Sequence, residues 1–96
     1  MTQDLHRAWA ATEADLERAR GLMPTAGDAL AFSRYREFLE ANELELALDE
    51  LEALASQTRC SPDLWRALLS AANRMGLTEH ATRLSVALAR ADELAV

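Results

Sequence analysis

Glu37, Glu40, Glu43, Glu45, Asp49, Glu50 and Glu52 stand between Arg36 and Arg59 with no basic residue among them. Carboxylates at this density offer two kinds of chemistry. Paired in a cleft that perturbs them, they do acid–base work. Solvated on one face, they attract a cationic partner. The whole chain carries a formal charge of -6, and this stretch alone more than accounts for it. Nothing around these residues implies a cleft, so the pattern predicts a docking surface and no catalytic residue. His6 and His80 fall in no HExxH or paired-ligand spacing. Neither a metal site nor a cofactor is expected, since zinc needs three or four ligands. Cys60 is the single cysteine. It directly precedes a helix start, which could lower its pKa, but no histidine stands in a nucleophile pattern with it.

The elements that must position the acids are helices. A chain of 96 residues, rich in Leu and Ala, without Ile and with Val only at Val86 and Val96, has little from which to build strands. Its length fits one domain, residues 1–96, with one modest core. The longest apolar run is too short to span a bilayer. The N-terminus MTQDLHRAWAA has no apolar h-region, so no secretory signal is expected. With a lone cysteine, this points to the cytoplasm. The negative charge and the scattered arginines disfavour nucleic-acid and membrane-surface binding.

Caps and breakers divide the chain. The first helix is predicted over 2–20, with Leu5, Trp9, Thr12, Leu16 and Ala19 on one face and Gly21 ending it. The second, 27–41, begins near Thr25 to Asp28 and turns Ala31, Tyr35, Phe38 and Leu39 inward. Asn42 reads as the N-cap of the third helix, 43–57, with Glu45 reaching back. Ser61-Pro62-Asp63 starts the fourth, 62–75, whose apolar face is Leu64, Trp65, Leu68, Leu69, Ala72 and Met75. Gly76 ends it. Thr78 caps the fifth, 79–91, with Leu77, Ala81, Leu84, Leu88 and Ala91 in register, and the tail DELAV is expected to fray. The result is an all-α, compact bundle of four to five antiparallel helices. The pairs 27–57 and 61–91 have similar length, a hint of helix-hairpin repeats without a residue-by-residue match.

On the third helix Leu44, Ala47, Leu48, Leu51, Leu54 and Ala55 fall on one arc. Glu45, Asp49 and Glu52 lie along one border, Glu43 and Glu50 along the other, and Leu46 faces outward between them. Like charges at this spacing weaken a helix by a few tenths of a kcal/mol. A helix selected only for stability would alternate Glu with Arg. The residues expected to meet a partner are therefore Tyr35, Glu40, Glu43, Glu45, Leu46, Asp49, Glu50 and Glu52, with Tyr35 and Leu46 as apolar contacts. Trp9, Trp65 and Phe38 sit at core periodicity and are expected to anchor the interior.

The segment SRYREFLEANELELALDELEALA, with SPDLWRALLSAANRMGLTEHATRL after it, resembles small bacterial immunity proteins of polymorphic or contact-dependent-inhibition toxin systems. The likeness covers residues 32–88. It implies a protein without enzymatic activity that binds one cognate cationic toxin domain, a nuclease in many such systems. An acidic helix would occupy the basic cleft by imitating the substrate's phosphate backbone. The first helix has no counterpart in that pattern. The alternative is a helical-repeat-like adaptor or scaffold that holds a peptide or protein in a groove. A concave groove lined with Leu and aromatics would favour it.

Overall fold

The computed structural model describes residues 2–24 and 29–94, with side chains from Trp9 onward. It contains α1 (Thr2–Gly21), α2 (Ala29–Glu40), α3 (Leu44–Ala55), α4 (Pro62–Arg74) and α5 (Thr78–Leu94). More than two-thirds of the chain is helix, and no strand occurs among the described residues. The all-α expectation holds. The predicted start of the second helix at Thr25 to Asp28, the side chains of Leu5 and His6, and the last two residues lie outside the described part.

The helix ends follow from local chemistry. Ser61 accepts a hydrogen bond from the Leu64 amide at 3.4 Å, and Pro62 fills the first helical position, where no N–H is needed. Asn42 does something other than predicted. Its φ is 62°, and its amide donates to the Leu39 carbonyl while the Glu43 amide donates to Phe38. That is a Schellman turn closing α2, with Asn42 in the left-handed conformation. Glu43 occupies the N-cap of α3 and makes no side-chain cap bond. Thr78 is likewise the first residue inside α5, and Leu77 accepts the first helical bond, from Ala81. Asp92, Glu93 and Leu94 remain helical, so the expected fraying does not reach them.

α4 is the central element. It packs against α1 and α5, while α2 packs on α3, and α1 and α4 also touch α3. Consecutive helices are neighbours in the pairs α2–α3 and α4–α5. α1, by contrast, passes over α2 in sequence and docks chiefly on α4. The core holds Leu16, Leu48, Leu51, Leu64, Leu68 and Leu84, all fully buried. Each contributes about 1.5–3 kcal/mol by leaving water, against ~0–1 kcal/mol for an exposed ion pair, so apolar packing and not charge holds the bundle. All six residues of the predicted α3 arc are buried. The molecule measures 43 × 26 × 19 Å.

The two hairpins share one turn. The amide donors Ala41, Asn42, Glu43 and Ala47 have counterparts in Met75, Gly76, Leu77 and Ala81, each bonded to the equivalent carbonyl 34 residues on. Gly76, with φ 70°, takes the left-handed place of Asn42. The repeat hidden in the side chains is explicit in the backbone.

Candidate functional site

The buried arc of α3 fixes where its acids point. Along one border Asp49 Oδ1 lies 2.7 Å from His80 Nε2. Further along the same border, Glu52 accepts two hydrogen bonds from Arg83, from Nε at 3.0 Å and Nη2 at 3.2 Å. On the other border Glu50 accepts from Arg34 Nε at 3.1 Å. The helix lacks alternating cations because neighbouring helices supply them, from α2 and α5. The Glu52 hydrogen bond, then its charge, raises the pKa of Arg83 above the ordinary arginine value. Of the predicted partner-facing acids, Glu40, Glu43 and Glu45 remain exposed, and among the described residues no arginine pairs with them.

Glu43 and Glu45 border a groove of about 370 Å³ lined also by Trp9, Asn42, Leu44, Leu46 and Met75. Three elements build it: the first half of α1, the α2–α3 turn with the start of α3, and the end of α4. Leu46 is 42 % exposed and Trp9 38 %. Trp9 is thus no core anchor. It sits one turn before Thr12 on the α1 stripe, where α1 runs past the edge of the core. Tyr35 is corrected in the opposite sense. It is buried to 1 %, and its hydroxyl has no hydrogen-bond partner among the described residues. Burial raises its pKa strongly, with Glu17 adding to the effect. The inward-face reading of Tyr35 holds and the contact reading fails.

Sequence reasoning missed Asp15. It is 2 % exposed and accepts from Ser70 Oγ at 2.7 Å, Arg74 Nε at 2.7 Å and an Arg18 guanidinium N–H at 3.3 Å. This cluster fastens α1 to α4. The signal was an acid adjacent to Leu16 on the apolar stripe of α1. Cys60 is buried, its thiol 3.6 Å from the Ala55 carbonyl oxygen. Desolvation raises its pKa, so the helix start does not activate it.

A second groove, about 520 Å³, lies beyond the other end of α3. Trp65, Val86, Ala87, Ala91 and Leu94 line it together with Arg59, Arg83 and Arg90. Three of the ten arginines, scattered in sequence, meet here. Among the described residues, no carboxylate pairs with Arg59 or Arg90. No described helix is long and apolar enough to cross a membrane. No family model, curated protein or solved structure matches this chain.

Proposed function

We propose that the chain is a protein-binding module of the immunity kind, which holds a cationic partner in the acidic groove between Trp9 and Leu46. The observation that supports this reading is the pairing of two exposed apolar side chains with unneutralised acids, Glu43 and Glu45, around one depression. Apolar anchors give a contact its lifetime, and charges steer its formation. A nuclease toxin domain, whose active site must hold phosphates, is the partner that the sequence resemblance implies. The test is protection. A nuclease toxin domain, sought in the reading frame beside this one, is expressed in cells with wild type or with the Glu43→Gln, Glu45→Gln double variant. Wild type should restore growth and the variant should lose at least tenfold in survival. Equal protection by both would refute the acidic-groove mechanism.

One observation favours a second reading, a peptide-holding adaptor. The 34-residue recurrence of the hairpin turn is the period of tetratricopeptide-type helical arrays. Trp65 and Leu68 keep the W-x₂-L spacing of that pattern, and Ala81 falls at its small-residue position. Leu69 and Ala72 depart from it where Gly and Tyr are usual. α1, which belongs to neither hairpin, also packs on both of them, on α3 and chiefly on α4, so the core is not built by the two hairpins alone. The immunity reading therefore stands first.

A further inference from the structure

Glu45 and Asp49 lie one turn apart on α3, and His80 comes from the first turn of α5. One donor atom from each lies within 4.8 Å of the other two. The histidine side chain is 14 % exposed and is held at 2.7 Å from Asp49. α3 and α5 are not among the helix pairs that pack closely, so these donors bridge two helices that make few other contacts with each other. We propose that Glu45, Asp49 and His80 form a divalent metal site, best matched by Zn²⁺, that clamps α3 to α5.

The donor set is the reason for that choice. An imidazole with two carboxylates suits zinc at metal–nitrogen and metal–oxygen distances of ~2.0–2.2 Å. In tetrahedral geometry those distances place two ligand atoms ~3.3 Å apart. The Nε2–Oδ1 separation of 2.7 Å must then open by roughly half an ångström, which a small rotation of the Asp49 side chain provides. Three protein ligands leave a fourth position for water or for a partner's side chain. Spacing along the chain hides the site, because its third ligand lies 31 residues from Asp49. The inference does not rest on the immunity reading, and bound metal would withdraw Glu45 from the acidic groove.

The experiment uses the full chain, stripped with a chelator and titrated with ZnCl₂. Calorimetry counts sites, and ¹⁵N resonances of the imidazole identify the ligand. One saturable site per chain is expected, with a shift of the His80 ring nitrogens and a melting temperature that rises with free Zn²⁺. Glu45→Gln, at an exposed position, leaves the fold intact and should weaken binding at least about tenfold. His80→Gln should abolish it. Binding unchanged in both variants, or an unmoved His80 resonance, would mean that zinc merely adsorbs to the acidic surface, and the proposal falls. No saturation below ~1 mM Zn²⁺ overturns it equally.

Discussion

Tyr35 is the only tyrosine in the chain, and its buried hydroxyl has no hydrogen-bond partner among the described residues. A polar atom stranded in this way destabilises the fold. Tyr35→Phe should therefore stabilise the protein by about 1 kcal/mol, raising the melting temperature by roughly 4–8 °C for a domain of this size. Differential scanning calorimetry checks it, and an unchanged or lower melting temperature would contradict it. The raised pKa gives a second readout. The folded state prefers the neutral phenol, so its contribution to stability is full below ~10, the unfolded value, and is lost as pH climbs above it. Absorbance at 295 nm should report tyrosinate only at higher pH in native protein than in urea. The alkaline loss of stability should be smaller in Tyr35→Phe. Periodicity placed this residue inward and its acidic neighbours drew it outward. Burial of a large ring in a core of leucines outweighs both the hydroxyl and the charges nearby.

At the scale of elements, the hairpin turns carry the clearest test. Asn42 holds φ 62° to close α2, and an ordinary residue there costs roughly 1–2 kcal/mol. Asn42→Ala should destabilise by about that amount. Asn42→Gly should be neutral or stabilise slightly, as Gly76 already serves the second hairpin. Urea denaturation orders the three proteins, and an alanine variant as stable as the glycine one would refute the turn assignment. The same position marks the limit of reading sequence. Asn is as good at starting a helix as at ending one in the left-handed conformation. Only the path of the chain decides, so the helices were legible and this boundary was not. The α3 arc was legible in full because six leucines and alanines repeat at 3.6 residues. The side chains that pair with its acids were not, since Arg34, His80 and Arg83 lie 16 or 31 residues from them. Of the candidate site, Glu43, Glu45 and Leu46 could be found by periodicity. Trp9 and Met75 join them only through the docking of α1 and α4.

Across the whole molecule, charge is sorted toward two ends of α3. Unpaired acids border the Trp9–Leu46 groove, and Arg59 and Arg90 line the other groove. A partner with a basic cleft should be drawn to the acidic end, with association faster than the ~10⁵–10⁶ M⁻¹s⁻¹ typical without steering. Raising salt from ~0.01 M to ~0.1 M shortens the screening length from ~30 Å to ~10 Å. Stopped-flow measurements with a partner of that kind should show the association rate falling steeply over that range while dissociation changes less. A flat association rate would favour the adaptor reading. The polar bolt at Asp15 has a consequence for how the molecule is made. Its partners Ser70 and Arg74 follow it by 55 and 59 residues, whereas each hairpin closes on neighbours. Local contacts form quickly and distant ones late. Of the five helices, α1 leaves the ribosome before the others, and its contacts with α4 are among the last expected to form. Until α4 emerges, the apolar stripe of α1 can reach α3 but lacks its chief partner, and the charge of Asp15 within that stripe favours its staying in water.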